Sequence, residues 1–159
     1  MIYQFDRQLA DGEAGEAYLD AFFRRRGHTI RAATRDEQRS GIDRFITAPD
    51  GREMAVEYKT DRLAGGTGNA FVETVSVDAR GKMGWALTSQ ADYLIYYVPG
   101  SAIYVLPFSS LRWALPGWMR NFPARAAQNN GYMTHGVLVP LATLAGYAVQ
   151  TFPLDDPVG

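Results

Sequence analysis

The tripeptide Pro49-Asp50-Gly51 is the strongest local constraint on what this chain can fold into. It separates two stretches that alternate between apolar and polar residues, loosely over residues 42–48 and again over residues 53–60 (EMAVEYKT). A period of two sends successive side chains to opposite faces of a strand, and a proline–aspartate–glycine turn between two such stretches predicts an antiparallel hairpin. In that hairpin Glu57 and Lys59 share a face, and Asp43 is carried back beside Glu57.

Around the hairpin the remaining patterns predict an α/β domain. Ala14, Ala17, Tyr18, Ala21 and Phe22 recur at three- and four-residue spacing, predicting a helix over residues 11–26 with Gly27 as its stop. Residues 28–33 tolerate a strand, and the polar, arginine-rich residues 34–41 read as a loop. The three glycines of residues 61–69 predict a flexible loop before a strand over 70–77. A short helix falls within residues 81–90, strands over 92–98 and 102–106 pair through Pro99-Gly100, and a helix follows over 108–114. The pattern weakens over 116–130, then gives a strand at 136–139, a short helix at 140–145 and a last strand at 147–152. With 159 residues and no linker, repeat or low-complexity tract, residues 1–159 read as one domain, long enough to bury about two thirds of its unfolded-chain surface.

Composition narrows the chemistry. The chain has no cysteine, which excludes disulfides, thiolate metal sites and cysteine nucleophiles, and an intracellular, cytoplasmic setting is expected. Neither a signal sequence nor an apolar run of about 18 residues is present, so no membrane partner is expected. The net charge of −1 argues against bulk electrostatic binding of nucleic acid, yet residues 21–48 hold seven arginines against three acids. This stretch is either a phosphate-facing stripe or a solvated surface that balances the acidic residues 6–20. Of the 16 basic residues only Lys59 and Lys82 are lysines. Lysine carries a compact ammonium where arginine carries a planar fork, so in an arginine-rich chain Lys59 calls for a specific reason.

Asp43, Glu57 and Lys59 then form a candidate site. Two carboxylates on adjacent strands repel unless a cation sits between them, and hard oxygen ligands without histidine or cysteine favour Mg²⁺ or Mn²⁺ over zinc. A lysine on the same face can steady the charge that develops when water attacks phosphorus. The same residues also fit a surface hairpin with a cross-strand ion pair worth under about 1 kcal/mol. Glu73 is either a further site acid or an exposed strand glutamate. Trp85 reads as a core or hinge aromatic or as a ring stacking on a base or sugar beside Arg80 and Lys82, Tyr93, Tyr96, Tyr97 and Tyr104 as core and cross-strand packing rather than a base-stacking platform, and Trp113 and Trp118 as buried packing with an oligomer interface as the alternative. His28 and His135 lack ligand spacing, and the GGTG of residues 65–68 lacks the Gly-Lys-Ser/Thr ending of a P-loop.

SGID with Asp43 followed by AVEYK with Glu57 and Lys59 resembles the active-site signature of the PD-(D/E)XK nuclease superfamily. The resemblance spans roughly residues 13–98 and is greatest to the Holliday junction resolvase-like branch, with Glu16 as the acid on the first helix, about three turns before Gly27, and Glu13 as its fallback. Ile42 stands where the name-giving proline is expected. The resemblance implies a restriction-endonuclease-like core, a central mixed β-sheet flanked by helices, and Mg²⁺- or Mn²⁺-dependent endonuclease activity on DNA. It implies Asp43 and Glu57 as metal ligands with the Tyr58 backbone carbonyl, Lys59 as the catalytic lysine, and Glu16 as an aid to metal or water. Arg35, Arg39, Arg44, Arg80 and Lys82 are the expected phosphate contacts, branched DNA the expected substrate, and a homodimer the working unit. The alternative is a nucleic-acid-binding or assembly protein that keeps the nuclease fold without cutting.

Overall fold

The computed structural model describes residues 2–129 and 131–155. In chain order the elements are α1 (Ile2–Arg25), β1 (Thr29–Ala32), α2 (Arg35–Arg39), β2 (Arg44–Thr47), β3 (Glu53–Thr60), α3 (Ala64–Thr67), β4 (Asn69–Val77), β5 (Lys82–Met83), α4 (Trp85–Thr88), β6 (Tyr93–Val98), β7 (Ala102–Pro107), α5 (Phe108–Asn121), β8 (Ala124–Asn129), β9 (Tyr132–Pro140), α6 (Leu141–Tyr147) and β10 (Gln150–Pro153). A single 3₁₀ turn at Asp78–Arg80 links β4 to β5.

The expected mixed sheet flanked by helices is present, but it is not the only sheet. Six strands run in the order β1-β2-β3-β6-β7-β10, and four more form a second sheet in the order β5-β4-β9-β8. Within the first sheet only β3 and β6 are parallel; every other neighbouring pair is antiparallel. Of the strands that follow β3, β6, β7 and β10 extend the first sheet, while β4, β5, β8 and β9 build the second. Strand pattern marks a half-buried surface but not the partner strand, so a sequence reading cannot assign strands to sheets.

The predicted hairpin forms as β2–β3 in the register Arg44↔Val56, with Gly51 in the left-handed conformation at φ +92°. The strand at 53–60 has the predicted bounds. Residues 34–41, read as a loop, instead contain α2, started by a Thr34–Glu37 capping box in which each residue's side chain takes the other's backbone N–H. Helix α5 continues through Pro116 to Asn121, because its buried face extends from Phe108 and Leu111 to Leu115 and Trp118. Trp113 points outward at 77% exposure, contrary to the buried packing expected of it.

Helix α1 begins nine residues before the predicted start and is turned relative to the alanine-rich stripe. Ala14, Ala17 and Ala21 are exposed, whereas Gly15, Leu19, Phe22 and Phe23 are buried. Alanine buries little area, so the larger Leu19 and phenylalanine side chains decide which face meets the sheet. Leu19, Phe22 and Phe23 pack with Val56, Tyr58, Ile95 and Tyr97 on one face of the first sheet. On the other face Leu94, Tyr96 and Val98 share a core with Val72, Val137 and Val139 of the second sheet and with Phe108 and Leu111 of α5. The alternation in β3 thus sends Val56 and Tyr58 toward α1 and Glu57 and Lys59 toward the side where the second sheet lies.

Candidate active site

Asp43 sits one residue before β2, at the end of the turn that begins at Gly41. Gly41 has φ +83°, and a Cβ there would stand 2.8 Å from Ser89 Oγ and 2.9 Å from its Cα. The turn requires glycine both for its left-handed backbone and for the close approach of the 89–90 segment. Ser89 Oγ donates to Gly41 O at 3.0 Å and Gln90 N to Ser40 O at 2.7 Å. That segment is anchored from α5, where the Arg112 guanidinium donates to Ala86 O at 3.1 Å and to Ser89 O.

The turn delivers Asp43 onto the edge of β3. Its backbone N–H donates to Val56 O at 2.9 Å, and its Oδ2 accepts the Tyr58 N–H at 2.7 Å. Beyond Val56 strand β2 has ended, and the Asp43 carboxylate takes the ladder bond that β2 no longer supplies. In an extended strand a residue's N–H and C=O point to the same edge, so the Tyr58 carbonyl faces the same gap. Burial raises the Asp43 pKa, opposed by the Tyr58 N–H and by the charges of Lys59 and Arg44.

Glu57 and Lys59 lie on one face of β3, as their spacing predicts, with Lys59 Nζ 3.5 Å from Glu57 Oε1. The Glu57 side chain is only 7% exposed, so this is not a solvated surface pair. Its Oε2 is buried and has no hydrogen-bond partner among the described residues. Ser89 lies beside the carboxyl, but its hydroxyl proton goes to Gly41 O. Burial raises the Glu57 pKa, Lys59 and Ser89 pull it down, and Asp43 adds to the rise. The two carboxylates therefore share an electrostatic environment.

Glu73 joins them on the second sheet. Burial raises its pKa, while Lys59, the Trp85 backbone N–H and Lys82 lower it. Lys59 thus lies in the fields of Glu57, Asp43 and Glu73, with its Nζ 5.8 Å from the centre of the Trp85 ring. Trp85 is 8% exposed and packs edge-on against Phe108.

The first-helix acid has a different environment. Glu16 Oε2 accepts from Arg44 Nη2 at 3.3 Å, and Arg44 Nε also contacts Asp20 Oδ1 at 3.1 Å. Burial raises the Glu16 pKa and Arg44 lowers it, with a smaller rise from Asp43 that places the two carboxylates within electrostatic reach. Arg44, expected to contact phosphate, has a side chain only 14% exposed and is committed to this network, with its guanidinium 5.5 Å from the Tyr58 ring centre. Asp20, which the sequence reading passed over, also accepts the Tyr58 hydroxyl at 3.0 Å. Its spacing of one helical turn from Glu16 was the available signal. Glu13 is exposed.

Of the other predicted phosphate contacts, Arg35, Arg39, Arg80 and Lys82 are exposed. Arg39 pairs with Asp36 at 2.9 Å on the solvent side of α2. Arg31 is engaged with Glu37 at 3.2 Å and lies 4.1 Å over the Phe45 ring, so the basic stretch of residues 21–48 is not one continuous stripe of free cations.

The chain matches no protein-family model, no curated protein and no solved structure. Among the described residues no group of three or more histidines, cysteines or acids stands close enough to hold a metal ion by side chains alone. Mg²⁺ does not require one: it commonly keeps waters and substrate phosphate oxygens alongside one or two carboxylates. Asp43, the unpartnered Glu57 Oε2 and the Tyr58 carbonyl are hard oxygen donors of the type that suits Mg²⁺ or Mn²⁺. No described helix is long and apolar enough to cross a membrane.

Proposed function

We propose that this chain is a divalent-cation-dependent DNA endonuclease of the PD-(D/E)XK type, similar to the Holliday junction resolvase-like branch. The observation that supports it best is Glu57 Oε2, a buried carboxylate oxygen without a hydrogen-bond partner among the described residues, next to Lys59 and in the field of Asp43. Leaving a buried polar group unsatisfied costs on the order of 1–3 kcal/mol, more for a charged group, and a bound cation would remove that cost. Asp43, Glu57 and the Tyr58 carbonyl would hold Mg²⁺ or Mn²⁺. Bound there, the ion supplies a water of lowered pKa and offsets charge on the phosphoryl oxygens.

Hydrolysis forms a bond from water oxygen to phosphorus and breaks the bond from phosphorus to the leaving sugar oxygen. Negative charge builds on the non-bridging oxygens, and the Lys59 ammonium is the protein group suited to meet it or to orient the water. Asp43 is oriented by the Tyr58 N–H, and Lys59 by Glu57 and the face of Trp85. Glu16 contributes once Arg44 releases it. The exposed Arg35, Arg39, Arg80 and Lys82 would bind backbone phosphates, giving salt-dependent affinity with little sequence preference. Branched DNA as substrate and a homodimer as the working unit follow from the resolvase resemblance.

The test is cleavage of labelled linear, single-stranded, flapped and four-way DNA in Mg²⁺ and in Mn²⁺ by the parent chain, Asp43→Asn and Lys59→Ala. Cutting by the parent that both substitutions abolish supports the nuclease, and the preferred substrate identifies the branch. A folded parent that binds these DNAs and cuts none of them supports the second reading, a nucleic-acid-binding protein without catalysis. One observation favours that alternative: Arg44 already occupies the helix acid Glu16.

A further inference from the structure

Beside the candidate site a cleft of about 310 Å³ opens between the end of β3 and the outward face of the second sheet, lined among others by Lys59, Asn69, Phe71, Glu73, Trp85 and Arg125. We propose that this cleft binds one unpaired nucleotide of the substrate, with its base against Phe71 and its phosphate on Arg125. The inference rests on the nuclease reading and specifies what that site receives next to the bond it cuts.

The volume falls at the lower end of the roughly 300–1,000 Å³ range of small-ligand sites, which suits one nucleotide and excludes a duplex. Apolar and aromatic side chains (Leu63, Phe71, Trp85, Leu138) line the cleft together with the charged Lys59, Glu73 and Arg125, a mixture that matches a nucleotide's flat base and anionic phosphate. Phe71, Asn69 and Glu73 alternate out of β4 on one face, while Ala70 and Val72 between them are fully buried in the core. Opposite Glu73 in the ladder is Gly136, where a Cβ would stand 2.7 Å from the Phe71 ring, so that ring lies directly against bare backbone. Arg125 is the next neighbour across the sheet, paired with Gly136, and is exposed with no ion pair among the described residues. A guanidinium in that position offers a planar fork to a phosphate.

The cleft is held in shape before any ligand arrives. The Tyr96 hydroxyl of the first sheet accepts the Phe71 N–H of the second at 3.1 Å and donates to Asp61. Asp61 Oδ1 in turn accepts the N–H groups of Leu63 and Ala64, each at 3.0 Å. Asp61 is thereby committed to the protein, and the Asn69 Nδ2 donates to Thr67 O at 3.4 Å, which leaves Glu73 and the Asn69 carboxamide oxygen among the polar groups that can meet a base edge. Lys59 lines the same cleft, so a strand whose nucleotide enters it passes the carboxylate pair.

The experiment titrates the metal-free full chain, in EDTA, with deoxyadenosine 5′-monophosphate, deoxyadenosine and inorganic phosphate, by calorimetry. Saturable binding of the nucleotide is expected, weakened at least tenfold in Arg125→Ala and in Phe71→Ala and unchanged in Arg52→Ala on the exposed β2–β3 turn, with thermal melts run on every variant. Should Phe71→Ala fail to fold, Asn69→Ala and the exposed Arg125→Ala carry the comparison. No saturable nucleotide binding, or equal binding in all variants, overturns the proposal. Inorganic phosphate binding as tightly as the nucleotide also overturns it, since only an anion site would remain. Nucleotide binding without DNA cleavage in Mn²⁺ would remove the nuclease reading and keep the cleft; cleavage without nucleotide binding would do the reverse.

Discussion

Gly15 of α1 lies so close to Thr60 at the end of β3 that a Cβ at position 15 would stand 1.9 Å from Thr60 Oγ1 and 2.9 Å from its Cβ. This contact sets how near the helix, and with it Glu16, comes to the strand that carries Glu57 and Lys59. Gly15→Ala is expected to destabilise the protein by about 1–3 kcal/mol through overpacking. It should also displace Glu16 and Arg44 from their present pairing. Thermal melts give the first effect, and the Arg44→Ala variant in the Gly15→Ala background the second: the two costs should sum to less than their separate values, because the pairs removed by one substitution are already weakened by the other.

Asp43 and Glu57 both have pKa values raised mainly by burial. The native state then binds protons that the unfolded chain has released, so their contribution to stability is present below the ordinary carboxylate range and is lost as pH rises through the raised native values. Asp43→Asn removes one of these groups and is expected to melt higher than the parent at neutral pH without metal. The difference should vanish below the ordinary aspartate value of 3.8. Millimolar Mg²⁺ or Mn²⁺ should reverse the order, stabilising the parent through binding to the native state and leaving Asp43→Asn unmoved. Identical melting curves for the two proteins at every pH would contradict this account.

Lys59→Ala separates catalysis from metal loading. Loss of a preorganised charge at the reacting centre lowers kcat by about 10²–10³-fold in comparable cases. The same substitution removes a cation 3.5 Å from Glu57, so Mn²⁺ affinity measured by calorimetry should stay the same or tighten. Metal binding weakened in step with activity would instead make Lys59 a structural partner of Glu57.

Arg44 and Arg35, both expected to meet phosphate, should behave differently. Arg44→Ala leaves Glu16 and Asp20 without their cation in a half-buried network, and is expected to cost about 2–3 kcal/mol of stability. Arg35 is exposed, so Arg35→Ala should leave stability within about 0.5 kcal/mol and reduce the salt slope of DNA binding by about one. Urea melts and DNA affinity across a salt series measure the two effects.

The sequence carried much of the local structure. The β2–β3 hairpin follows from Pro49-Asp50-Gly51 and its alternating flanks, and the pairing of Glu57 with Lys59 follows from strand period alone. The β6–β7 hairpin and the burial of Tyr96, Tyr97 and Tyr104 were legible for the same reason. The capping box of α2 was present in the sequence as Thr34 and Glu37, but five residues rich in arginine give no apolar period to mark a helix. Ser89 and Arg112, which hold the Gly41 turn in place, gave no signal, because their contacts are with backbone atoms distant in sequence.

What the sequence alone determined is therefore periodic and local: which residues form strands, where the turns fall, and which charges share a face. Tertiary structure decided the rest. It divided the strands between two sheets, turned α1 so that Leu19 rather than the alanines faces the core, and spent Arg44 on Glu16 and Asp20. It also buried Glu57 Oε2 without a partner and set Glu73 near Lys59. Period fixes the direction of a side chain relative to its own backbone; burial, and the charge that a buried group needs beside it, depend on which other elements pack there.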